Sequence, residues 1–139
     1  MASLVFFDSN VLVYADDASS GAKCGTARAL VKQHVGDGTA VVSLQVLQEY
    51  FVVVTRKLGV PADLAQERVR VLAEGRVVCF EARDVIAAIE LHRLTRISFW
   101  DALIVHAARS AGVAVLYSED LQHGRMVGGV RIVNPFVTT

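Results

Sequence analysis

The chain has 139 residues, 53% of them apolar, and its fourteen basic and fourteen acidic side chains cancel to a formal charge of zero. That length suits a single domain, 1–139, with one substantial core, and the zero balance argues against a general nucleic-acid coat of clustered Lys and Arg. No apolar run approaches the roughly 18 residues a membrane span needs, and Asp8 interrupts the N-terminus before it can read as a signal peptide.

Leu4 to Phe7 is a continuous apolar run ending in a polar turn, as a buried parallel strand does. Cys24 to Val35 predicts a helix with Ala27, Leu30, Val31 and Val35 on one stripe, closed by Gly36-Asp37-Gly38. Ala40 to Val42 is a short strand, and Ser43 then caps a helix that runs toward Leu58 and stops at Gly59. Pro61 opens the next helix, which reaches about Glu74. Val77 to Phe80 predicts a third strand, followed by a helix from about Arg83 to Leu94. Ser98 begins another helix that ends before Gly112, with Trp100 and Ile104 facing the core. Val113 to Tyr117 is a fourth strand, a short helical turn follows Ser118, and Val130 to Val133 is the last strand. Strands separated by helices imply parallel pairing through right-handed crossovers, hence a three-layer α/β/α domain.

Four acidic residues stand where such a fold does not need a carboxylate: Asp8, Glu49, Asp101 and Asp120. Asp8 and Asp120 follow predicted strands, and Glu49 and Asp101 fall early in helices, so all four can reach one edge of the sheet. Ligands bind beyond the carboxyl ends of parallel strands, near the point where strand order reverses. Each acid also has a plainer reading. Asp8 is a good turn-former, Ser98-x-x-Asp101 resembles a capping box, Asp120 can cap a short helix, and Glu49 shares a solvated flank with Gln45 and Arg56. Taken together, four carboxylates at one edge would repel one another, and a divalent cation is the simplest remedy. No His pair or Cys cluster supports zinc, so oxygen-bound Mg²⁺ or Mn²⁺ is favoured. His106 lies well around the helix from Asp101 and is not expected to share a ligand with it.

Cys24 and Cys79 lack CxxC spacing and fit a reduced, cytoplasmic protein, with Cys79 reading as small apolar filler. Eleven of the fourteen cations are Arg, whose planar fork suits phosphate.

In order along the chain, these pieces resemble the PIN-domain ribonucleases, and specifically the VapC-like toxins of type II toxin–antitoxin pairs. Asp8-Ser9-Asn10-Val11-Leu12 is similar to the family's opening D-[ST]-N motif, and Ser43 to Glu49 to its second block. Trp100-Asp101-Ala102-Leu103-Ile104 resembles the third and Ser118-Glu119-Asp120-Leu121 the fourth, with Asn134-Pro135-Phe136 as a frequent ending. The resemblance spans Val5 to Phe136. It implies a five-stranded parallel sheet and a metal-dependent endoribonuclease that hydrolyses RNA phosphodiester bonds with a metal-activated water. It also implies a homodimer silenced by a cognate antitoxin. By position, Asp8, Glu49, Asp101 and Asp120 become the acidic quartet that is catalytic and holds Mg²⁺ or Mn²⁺. Ser9 becomes a hydroxyl bonding to the site, with Asn10 beside it toward the substrate, and Glu119 competes with Asp120 for the fourth place. The alternative is a PIN fold that binds RNA or protein without cutting. A receiver or dehalogenase-like phosphoryl switch is a poor fit, because Asn10 stands where a second Asp is needed and Lys57 is the last lysine. Partner contacts are expected from the amphipathic helices after Pro61 and before Gly36.

Overall fold

A computed structural model describes residues 3–137. Its sheet has the order β3-β2-β1-β4-β6-β5, with β1 Val5–Phe7, β2 Ala40–Ser43, β3 Arg76–Val78, β4 Val115–Tyr117, β5 Met126–Val127 and β6 Val130–Val133. Five strands are parallel, and β5 adds a sixth, antiparallel to β6 through the Val127–Val130 turn. The expected five-stranded parallel sheet is therefore present, with a two-residue edge strand added to it. Gly128 and Gly129 carry that turn, both at positive φ, as a two-residue hairpin with the strands' twist requires.

The helices are α1 Ser9–Ala15, α2 Ala22–Asp37, α3 Leu44–Arg56, α4 Ala62–Ala73, α5 Ala82–Thr95 and α6 Phe99–Ser110. From β1 to β2 to β3 the chain steps outward in one direction, so right-handed crossovers put α1–α4 on one face. The return from β3 to β4 reverses direction and puts α5 and α6 on the other. In agreement, α1 packs on α2 and α3, α3 packs on α4, and α5 packs on α6. The strands are uniformly apolar at their centre: Phe6, Val41, Leu116 and Ile132 are fully buried.

Three local expectations change. Cys79 is exposed, because β3 is an edge strand that ends at Val78 and leaves Cys79 past its last pairing; Cys24 is the buried cysteine. Trp100 is 67% exposed rather than core-facing. Burial on α6 begins only at Ala102, so the helix's first turn overhangs the sheet, whereas Ile104 is buried as expected. Ser118 to Gly124 forms bends and turns instead of a helical turn, since the Asp120 amide is taken by the Ser118 side chain and not by a helical carbonyl.

Candidate metal centre

The strand order reverses between β1 and β4, and the candidate site lies at their carboxyl ends. Asp8 follows β1 and is nearly fully buried. It is the N-cap of α1, with Oδ1 accepting from the Ser9 amide at 2.8 Å. Its Oδ2 accepts from the Ser118 hydroxyl at 2.8 Å and from Asn10 Nδ2 at 3.4 Å. Asn10 Nδ2 also donates to Asp120 Oδ2 at 3.1 Å, while Asn10 Oδ1 accepts from the Glu119 amide at 3.2 Å. One amide side chain thus ties the start of α1 to the loop after β4.

Glu49 sits in the second turn of α3, whose N-cap Ser43 closes β2. Asp101 lies in the first turn of α6, where its amide donates to Ser98 Oγ at 3.0 Å. The cap is real, but among the described bonds the Asp101 carboxylate makes no return bond to the Ser98 amide. Such a reciprocal box does close the start of α5, between Glu81 and Asp84. Asp101 is left available to the cluster.

The electrostatics tie the four acids together. Burial pushes Asp8 up to about 6; the Ser118 and Ser9 bonds oppose the shift, and the negative charges of Glu49 and Asp120 add to it. Glu49 is raised by desolvation first and then by Asp120 and Asp101, with the Gln45 side chain opposing. Asp101 is raised by desolvation, partly offset by the Ser98 hydroxyl and reinforced by Asp120. Carboxylates from four separate elements therefore feel one another, and none of the four has an ion-pair partner among the described residues.

Glu119 points elsewhere. Its carboxylate receives the Lys23 ammonium at 2.6 Å and the Tyr14 hydroxyl at 2.7 Å. Burial works to raise it, but those two donors hold it below the usual carboxylate range. Of the adjacent pair, Asp120 faces the cluster and Glu119 does not.

The hydroxyl that reaches Asp8 comes from Ser118 and not from Ser9, whose described bond is made by its backbone amide. Ser118 is fully buried directly after β4, and a polar residue between the apolar Val115–Tyr117 and two acids was the signal in the sequence. The histidines stay outside the site. His106 bonds Asp84 and Arg109, His92 the Ile97 carbonyl, His34 the Thr39 hydroxyl, and His123 the Asn134 amide.

The donor set fits a hard divalent cation: oxygen ligands only, excess negative charge, and pKa values shifted in the direction a cation would reverse. Among the described residues no group of three or more His, Cys, Asp or Glu side chains is placed closely enough to hold a metal ion.

Comparison with known proteins places the fold in a family. The PIN domain family model matches residues 5–128. Among solved structures, the chain is similar to VapC20 of Mycobacterium tuberculosis, a Sarcin-Ricin loop cleaving toxin, at 26% identity over 82% of this chain and 88% of that one, with a TM-score of 0.63. It shares its fold with a toxin–antitoxin complex from Klebsiella pneumoniae (17% identity, 95% and 98% covered, TM-score 0.67). The same holds for VapBC2 of Rickettsia felis bound to a promoter DNA fragment (16% identity, 93% and 96% covered, TM-score 0.65). No curated protein sequence matches. With nearly the whole chain under the family model and the acidic motifs at the sheet's switch point, the chain belongs to the PIN domain family.

Proposed function

We propose that this protein is a metal-dependent endoribonuclease, the toxin of a toxin–antitoxin pair. The observation that carries the reading is the convergence of Asp8, Glu49, Asp101 and Asp120, the first three raised in pKa by burial and by neighbouring negative charge, and all four without a cation partner among the described residues. Mg²⁺ or Mn²⁺ held by these carboxylates would supply Lewis acidity toward a phosphodiester and neutralise charge on the phosphorane-like transition state. The chain's own contribution is placement. Asp8 is fixed by Ser118 and Ser9, Asp120 by Asn10, and Asp101 by the α6 cap. The Asn10 amide bridges Asp8 and Asp120, and the positive end of α6 favours an anionic backbone. RNA is the substrate this reading takes, in line with the Sarcin-Ricin loop cleavage of the similar VapC20.

The partner reading rests on a cavity of about 340 Å³ between α1, α2, α3 and α4, walled by Leu12, Val31, Val35, Tyr50, Val71 and Leu72. It lies between the two helices expected to present apolar surface, and Tyr50 in its wall directly follows Glu49. An apolar antitoxin segment fits there, as the toxin–antitoxin assemblies among the similar structures suggest. Exposed Val85, Ile86, Ile89 and Leu94 give α5 an apolar face suited to a homodimer.

The test is cleavage of single-stranded RNA with Mg²⁺ or Mn²⁺, its loss in EDTA, and its absence in Asp8→Asn and Asp101→Asn. Cleavage that persists in excess chelator would overturn the metal mechanism. Metal binding and RNA binding without cleavage by the native chain would leave the non-cutting module in its place.

A further inference from the structure

We infer that Lys23 and Tyr14 are positioning residues for the acidic centre: together they clamp Glu119, which holds the Ser118–Asp120 segment with Asp120 turned into the cluster and Glu119 turned out of it. This rests on the reading of the four acids as a metal centre.

Three groups converge on the Glu119 side of that loop. Lys23, in the first turn of α2, places its ammonium 2.6 Å from Glu119 Oε2. Tyr14, in the last turn of α1, donates to Oε1 at 2.7 Å. The ammonium also lies 4.9 Å from the Tyr14 ring centroid and 5.6 Å from that of Phe136, and those two rings meet edge to face at 5.0 Å. Phe136 is itself fixed, since its amide donates to Asn134 Oδ1 at 2.9 Å. An exposed ion pair contributes little, but here the Lys23 and Glu119 side chains are only 44% and 26% exposed, and two aromatic rings face the cation.

The arrangement answers a geometric problem. Three consecutive residues after β4 must send their side chains to different places. Ser118 goes to Asp8, Asp120 goes to Asn10 and the cluster, and Glu119 lies between them. Asn10 and Ser118 hold the amides of Glu119 and Asp120. Among the described residues, only Lys23 and Tyr14 hold the Glu119 side chain itself. Without them a fifth carboxylate is free to swing toward four that already repel one another, and Asp120 loses its outer anchor. Partners that orient metal-ligating carboxylates from outside commonly carry tenfold to a hundredfold effects on affinity.

The experiment uses the full chain and the variants Lys23→Met, Lys23→Arg, Tyr14→Phe, Glu119→Gln and the double variant Lys23→Met/Glu119→Gln. Amide hydrogen exchange without metal reads the loop directly, and Mn²⁺ titration followed by electron paramagnetic resonance reads the centre. Lys23→Met is expected to speed exchange at the Glu119 and Asp120 amides and to weaken Mn²⁺ binding, each by about tenfold. Tyr14→Phe shifts both in the same direction by less, Lys23→Arg restores most of the loss, and the double variant is no worse than the poorer single one. Unchanged exchange and unchanged Mn²⁺ affinity in both Lys23→Met and Glu119→Gln would overturn the inference. So would a lowered melting temperature with both readouts intact, which is the mark of a purely structural anchor. If the native chain binds no Mn²⁺ at all, the metal reading fails, and exchange at Glu119 and Asp120 still decides whether the clamp holds the loop.

Discussion

The Asp8 carboxylate accepts from an amide, a hydroxyl and a side-chain amide, yet burial still lifts it from 3.8 to about 6. Because the folded value is the higher one, the unfolded chain releases this proton first as pH rises from about 4 to 6. Ionising Asp8 therefore draws the equilibrium toward unfolding, and the loss is complete above about pH 6, at about 3 kcal/mol for a shift of this size. Asp8→Asn removes the ionisation and keeps an oxygen for the α1 cap. In metal-free urea unfolding, it is expected to match or exceed the native chain in stability at pH 7.5, with the advantage roughly halved at pH 5 and gone below about pH 4. A loss of similar size at both pH values would make Asp8 a structural cap. Ser118 supplies the second residue-scale prediction. Its hydroxyl donates to Asp8 and accepts from the Asp120 amide in a fully buried position. Ser118→Ala leaves that amide without its partner, costs about 1–3 kcal/mol, and raises Asp8 further. Denaturation and carbon NMR of the Asp8 carboxyl read the two effects, and no movement in either would mean that the hydroxyl is idle.

Elements whose apolar period is long and whose caps are explicit match the sequence to within a few residues. Ser43 and Ser98 are the N-caps expected of them, Pro61 opens α4, and the helix closed by Gly36-Asp37-Gly38 ends at Asp37. The sequence reading missed elements too short to show a period. The seven residues of α1 begin at Ser9, directly after a strand, and β5 has two residues whose pairing depends on the Gly128-Gly129 turn. The site was legible as residue types at strand exits and helix starts. The bonds within it were less so, because whether Ser9 or Ser118 reaches Asp8 depends on how β1 and β4 lie in register. Trp100 shows the same limit: its helical period suggests burial, but the helix end overhangs the sheet. That exposure gives an experiment, since Trp100 is the sole tryptophan and precedes Asp101. Mn²⁺ is expected to quench its emission saturably in the native chain and not in Asp8→Asn. Quenching that stays linear and equal in both would reflect collision rather than binding.

At the scale of the molecule, much of the apolar surplus of the sequence lies at the surface, in a groove between α3 and α4 lined by Leu44, Phe51 and Val52 and on two further surfaces. One is the cavity between α2 and α4, whose apolar walls carry Arg28, Lys32 and Arg68 among their residues. Arg68 is engaged by Asp16 at 3.1 Å and Arg28 by the Ala15 carbonyl, so part of this charge already serves α1, whose first residue follows Asp8. A segment seated there would press on the helix that carries the first acid at its N-cap, about 10 Å away along the axis. The other surface is α5, where Ile86 and Leu94 are 67% and 76% exposed and the charged capping box occupies only the helix start. Zero net charge offers little repulsion against pairing through such a face. The two surfaces are on opposite faces of the sheet, so self-association and antitoxin capture are expected to be separable. Ile86→Glu with Ile89→Glu is expected to convert a dimer to a monomer in light scattering while the antitoxin still binds. Val71→Glu, which puts a charge on the open apolar wall of the cavity, is expected to abolish antitoxin binding by calorimetry and the exchange protection of α2 and α4, with the dimer retained. If Val71→Glu dissociates the dimer, or the α5 variant loses the antitoxin, the two surfaces have been assigned the wrong way round.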